Sequence, residues 1–343
     1  MSPIWVVLCI VLIIVVLLLL GRSKGRSRTV MMKPFRWPSE QPPAALGVPA
    51  GHPARSAAER LESGLGIDFE GRIKDRVLKN SPNMGDDEWN WTWFELKRYF
   101  LMCAIMKGVP MYSGKVDAVW HEMLMFTREY EGFCSKLCGV MIHHAPHGPN
   151  DAPEQGERAW FDWVYGELFT QAPASGRLWG SFYRAKLPES RLKTLAELEA
   201  GELREKWFNA NVFSSFQDLS ETADYLIHRA KSQLRSAGQD APGTSSWRGG
   251  YDPMLGGTGM LAGLLVINSV TSSDSEFIRH MDEAQTEEQR QSNDSGVFIP
   301  PVCGSGSDHS GSDHSGGDGG GSDSGSSCSG GSSSCGGGGC SSS

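Results

Sequence analysis

The run IWVVLCIVLIIVVLLLL, Ile4 to Leu20, constrains this chain more than any other stretch. It carries no charged and no strongly polar side chain, so it lacks the polar stripe that a soluble surface helix keeps. As a helix it would reach roughly 26 Å, close to the hydrocarbon thickness of a bilayer. A cleaved signal peptide is the competing reading. It calls for positive charge ahead of the apolar run and small residues at a cut site, and neither is present. The expectation is a retained, single-pass transmembrane anchor over residues 1–21.

Charge sets its orientation. No Lys or Arg precedes the run, whereas Arg22, Lys24, Arg26, Arg28, Lys33 and Arg36 follow it before the first acid, Glu40. The positive-inside tendency puts this flank, and the domain after it, on the cytoplasmic side of a cell membrane. Each basic residue of 22–36 near an anionic leaflet adds about 1 kcal/mol of attraction. Lipid contact competes there with a plain solvated linker, and Phe35 and Trp37 are candidates for the interface. The next stretch, PSEQPPAALGVPAGHP, has five prolines between Pro38 and Pro53. Such density forbids a regular helix and favours an extended spacer, so residues 22–60 read as a linker.

The other end is low in complexity. GSDHS occurs twice in succession, from Gly306 and from Gly311, and Gly/Ser runs follow. A composition of this kind cannot bury enough surface to offset its chain entropy, so residues 301–343 read as a disordered tail. In a reducing cytoplasm its Cys303, Cys328, Cys335 and Cys340 are free thiols, with loose chelation of soft metals as the alternative. Four aspartates of the tail account for part of the net charge of −8, and nothing resembles a basic nucleic-acid-binding domain.

Between the ends, helical periodicity dominates and strand-like alternation is scarce. The expected fold class is all-α, with a globular domain over 61–240. Trp89, Trp93, Leu96, Phe100 and Cys103 recur at three- and four-residue steps, with Asp86 and Asp87 as caps and Gly108 and Pro110 as stops. Ser113 is a cap for a helix over Val116 to Cys138, which Gly139 ends. Further helices fit Glu154 to Phe169, Ser190 to Phe208 and Ser215 to Ala237. Residues 241–300 form a variable segment whose apolar part, Met254 to Val270, is uncharged. Its compact core of Met260 to Val270 suits a buried or interfacial segment better than a second span.

The chemistry is densest in EYEGFCSKLCGVMIHHAPHG, Glu129 to Gly148. On a wheel for Val116 to Cys138, Val116, Val119, Trp120, Met123, Thr127, Tyr130, Cys134 and Leu137 share one wide apolar stripe. Asp117, His121 and Arg128 share another face, and the four-residue step from Asp117 to His121 lets a carboxylate hold an imidazole. His121 and Cys134 would lie roughly 140° and 20 Å apart on one straight helix, so they cannot share an ion within it. A metal site would instead use Cys134 and Cys138 with His143 and His144 folded back over the helix end, zinc being the ion that accepts such mixed ligands. That spacing is not a usual one, and adjacent His143 and His144 tend to point apart. Capping and core roles remain the plainer alternative, and a Cys–His nucleophile is disfavoured because Cys134 lies on the apolar stripe. The zinc-protease pattern begun at His121 fails at Met125.

The stretch VDAVWHEMLMFTREYEGFCSKLCGVMIHHAP resembles the helical module of the glycine-rich domain-containing proteins, best known in plants and with bacterial relatives. The matching positions are Asp117, Trp120, His121, Thr127, Tyr130, Cys134, Gly139, Ile142, His143 and His144. Plant members commonly read Trp-His-x-His, and Met123 stands here at the second His position. The resemblance implies a helical module and gives weight to His121, His143 and His144. It implies no enzymatic activity.

Together these readings describe a membrane-anchored helical binding or scaffolding protein, its ligand site built from Asp117, Trp120, His121 and Arg128, with room for a protein partner and none expected for nucleic acid. The alternative is a metal-binding protein or metal-dependent enzyme using the Cys/His cluster of 134–147.

Overall fold

In the computed structural model the described residues are 35–144, 155–239 and 259–294. The anchor run, its basic flank as far as residue 34, the tail repeats and the tail cysteines lie outside them. No helix among the described residues is long and apolar enough to cross a membrane.

The described residues are all-α. A 3-10 turn at Ala44–Gly47 leads to α1 (Arg55–Leu65), α2 (Ile67–Asn80), α3 (Asp86–Ile105), α4 (Gly114–Leu124) and α5 (Thr127–Cys138). Then come α6 (Gln155–Leu168), α7 (Ser175–Trp179), α8 (Glu189–Glu197), α9 (Ala200–Trp207) and α10 (Gln217–Gln239). The series ends with α11 (Met260–Thr271), α12 (Asp274–Ala284) and α13 (Glu287–Asp294). The one β-type pairing among them is an isolated bridge between Met106 and Phe208.

The central element is α3. Its sequence is apolar on nearly every side, and Trp89, Trp91, Trp93, Phe94, Leu96, Phe100, Leu101 and Ile105 are all buried. Asp86, Asp87 and Glu88 fill its first turn, where acidic groups favour the helix dipole, although Gly85 rather than an aspartate occupies the cap. Its last carbonyls find a dedicated partner: Asn209 Nδ2 donates to the oxygens of Cys103 and Met106, both at 2.8 Å.

Several expectations change in the structure. The proline-rich stretch is not a spacer. Prolines bar it from an α-helix but not from packing on the domain, and the apolar residues between them sink into the core, with Ala45, Leu46 and Val48 buried. Trp91 Nε1 donates to Pro38 O at 2.8 Å and Arg98 Nε to Leu46 O at 2.9 Å. Phe35 and Trp37 also dock on the domain, Trp37 packing against the core and Arg177 lying over the Phe35 ring. Second, the segment from Ser190 to Phe208 is two helices, because Glu199 and Glu202 form a capping box that starts α9 afresh. The buried reading of Met260 to Val270 holds: Met260 to Thr271 is a core helix, and it extends the helical domain past residue 240. Leu261, Ala262, Leu265 and Val266 are buried, and Gly259 N donates to Gly166 O at 2.8 Å, tying the segment to α6.

The helix expected from Val116 to Cys138 is broken. α4 ends at Leu124, and Phe126 leaves helical geometry at φ −100 and ψ 62 before α5 begins. Phe126 turns its ring onto Phe69 of α2, 5.8 Å between centroids, with Arg72 stacked over it at 5.2 Å. Neither glycine nor proline marks the break, so tertiary packing overrides a continuous helical pattern.

Candidate functional site

The candidate site forms where α4 meets the segment that follows α5. Ser113 caps α4 as its sequence predicts, accepting from Val116 N at 3.3 Å. Asp117 sits in the first turn and His121 one turn on, so both side chains emerge on one face.

The third member arrives by a return. Gly139 ends α5 in the left-handed region at φ 75, and its N–H bonds back to the carbonyls of Cys134 and Ser135. Residues 141–144 carry no regular secondary structure. Tyr130 fastens them: the phenol donates to Ile142 O at 2.6 Å and accepts from Trp120 Nε1 at 3.1 Å. His143 faces solvent, and His144 turns inward to place Nε2 2.7 Å from Asp117 Oδ1.

The three side chains differ in access. Asp117 is 6% exposed and His144 10%, whereas His121 is 44% exposed. His121 Nδ1 lies 3.6 Å from Asp117 Oδ2, and the two imidazoles are 4.4 Å apart between centroids. The Trp120 edge packs on His144 at 4.5 Å, and Trp120 in turn packs on Tyr99 and Phe100 of α3. The site therefore rests on the central helix through an aromatic floor. One ligand atom from each of Asp117, His121 and His144 fits within a 4.8 Å envelope, and no other group of three His, Cys, Asp or Glu does so among the described residues.

The metal set expected from sequence, Cys134, Cys138, His143 and His144, is not assembled. Cys134 and Cys138 are buried inside α5, and burial pushes both thiols up, which keeps them protonated. Cys138 Sγ donates to Val140 O at 3.3 Å. Of the four only His144 reaches the cluster. The expected ligand patch of Asp117, Trp120, His121 and Arg128 is kept in its first three members. Arg128 is exposed and pairs with none of them, because the break at Phe126 removes the common wheel that had joined them.

Spacing within α4 shows Asp117 and His121 together, but it does not show His144 returning to them. The signal that would have found the return is Tyr130, a buried phenol twelve residues before the Ile142 carbonyl it holds.

A family model described as UCP032817-like matches residues 59–161, under a third of the chain, and that stretch contains all three cluster residues. No curated protein and no solved structure matches the chain.

Proposed function

We propose that this chain is a membrane-anchored helical domain that binds a divalent transition-metal ion through Asp117, His121 and His144. The observation that carries this reading is their convergence from two separate segments, with one carboxylate nearly sealed and one imidazole open to solvent. Two imidazole nitrogens and a carboxylate oxygen are a donor set that zinc and ferrous iron both take, with further positions left for water or a ligand. Tetrahedral ligands about 2.0 Å from a metal sit about 3.3 Å from one another. One ligand atom from each of the three residues lies within 4.8 Å of the others, wider than that spacing, so side-chain rotations would draw them in around an ion.

The resemblance to glycine-rich domain-containing proteins supports a binding or scaffolding role for the module, with the anchor of residues 4–20 and the basic flank of 22–36 holding it at the cytoplasmic face of a membrane. A metal-dependent enzyme is the second reading. It is favoured by the exposure of His121, which leaves the open coordination positions facing solvent.

The test is metal analysis of the full chain in detergent after zinc loading and exhaustive dialysis. About one equivalent is expected, falling to background in His144→Ala and Asp117→Asn. Retention of no metal by folded wild-type protein would reduce the Asp117–His144 contact to a loop fastening.

A further inference from the structure

A second cleft opens at the C-terminal end of α3, about 210 Å³ in volume and bordered by α6, α8 and α9. Its wall is built around Trp160, which stacks on Trp163 with ring centroids 4.7 Å apart. The two indoles are treated differently. Trp163 Nε1 donates to Gln233 at 2.8 Å, whereas Trp160 Nε1 is buried with no hydrogen-bond partner, in a residue only 7% exposed. A buried donor left without an acceptor is uncommon in native proteins and calls for an explanation.

Arg191 provides the second observation. Its guanidinium lies over the rings of both Trp160 and Trp207, at 4.9 and 5.2 Å. Its side chain has no hydrogen bond or ion pair among the described residues, although it is partly buried. Glu157 also lines the cleft; it is exposed, and its charge acts on Arg191 from beyond ion-pair distance. The guanidinium fork is thus stacked on its faces and uncommitted at its edges.

We infer that this cleft binds a small organic carboxylate, its oxygens taken by Arg191 and, once the ring shifts to open its sealed edge, by the Trp160 indole N–H, with its apolar part set against the Trp207 and Met106 walls. The donor set suits a planar monoanion: a guanidinium matches two carboxylate oxygens, and an indole N–H can only donate. A dianionic phosphate would call for more buried positive charge than the site holds. Lys206 is exposed, and Lys107 Nζ is already bonded to Glu205 O.

The test uses the full chain labelled with 15N-tryptophan and titrated with benzoate, benzyl alcohol and phenyl phosphate. Trp160→Phe identifies the Trp160 indole resonance among those of the 11 tryptophans. Benzoate is expected to move that resonance saturably, with benzyl alcohol leaving it in place. Arg191→Gln is expected to weaken benzoate at least about tenfold while the near-ultraviolet circular dichroism is preserved. Where that variant does not fold, Arg191→Lys keeps the charge without the fork and is expected to bind more weakly than wild type. The inference is overturned by an equal response to benzyl alcohol, or by unchanged benzoate binding in a folded Arg191 variant. No saturable response up to about 10 mM benzoate would also overturn it. Tighter binding of phenyl phosphate would overturn the assignment to a carboxylate.

Discussion

Two groups of ionisable side chains meet the same aromatic core, and they are finished in opposite ways. Glu95 and Arg98 on α3 are sealed, both side chains fully buried. Ser175 Oγ donates to Glu95 Oε1 at 2.7 Å, Trp179 Nε1 donates to Oε2 at 2.8 Å, and the Tyr165 hydroxyl lies 2.9 Å from Oε2. Arg98 donates to the carbonyls of Leu46 and Thr170 and stacks over Phe94 and Phe169. Every charge there has its partners inside the fold. Asp117, His121 and His144 are held from below by Trp120 and Tyr130 but are open above at His121. A closed network can only hold the structure together, whereas an open one with convergent ligand atoms has capacity left for something else.

The comparison breaks most visibly at Arg98. Arg98→Met strands the buried Glu95 charge and frees the Leu46 and Thr170 carbonyls. The expected cost is about 3–5 kcal/mol in urea unfolding, with the segment before α1 becoming sensitive to protease. A loss under about 1 kcal/mol would mean that the sealed cluster is not structural.

A buried histidine elsewhere gives a pH signature. Burial pulls the His52 imidazole down from 6.5 to about 4, and its Nδ1 accepts the Ala54 N–H at 3.1 Å. Between those two values the unfolded chain binds the proton more readily than the folded one. The stability contributed by neutral His52 is therefore complete above pH 6.5, falls as pH drops below it and levels off below about 4. The whole effect amounts to at most about 3 kcal/mol. His52→Asn keeps an acceptor for Ala54 N–H and does not titrate. The stability difference between wild type and this variant should shrink or reverse across that window, and a flat difference would contradict the assignment.

Smaller effects sharpen the open site. Tyr130→Phe removes the fastening at Ile142 and the acceptor for Trp120 Nε1, with an expected cost of about 1–3 kcal/mol by thermal unfolding and weaker zinc retention. His121→Ala is expected to change stability by no more than about 0.5 kcal/mol while abolishing metal retention. Equal loss of stability in His121→Ala and Tyr130→Phe would erase the distinction between ligand and support.

The legible parts of this fold are those set by local pattern. Long apolar runs mark α3 and α6, apolar periodicity marks α10, the Ser113 cap starts α4, and Gly139 ends α5. What is not legible depends on partners distant in sequence. Phe126 breaks a continuous helical pattern because Phe69 and Arg72 receive it. Prolines at 38–53 signal an extended chain but not that Arg98 waits to bind its Leu46 carbonyl. Within the site, the four-residue step from Asp117 to His121 is readable from α4 alone. The choice of His144 over His143, and of Asp117 over the two cysteines, follows from the Tyr130 fastening and the burial of α5, which no spacing rule contains.

Zinc-edge X-ray absorption on the metal-loaded full chain tests the central claim most directly. The account predicts a first shell of nitrogen and oxygen scatterers alone, at about 2.0–2.2 Å, disrupted in His144→Ala. A sulfur scatterer at about 2.3 Å that persists when the four tail cysteines are replaced by serine and is lost in Cys134→Ser would hand the site back to Cys134 and Cys138 and contradict it.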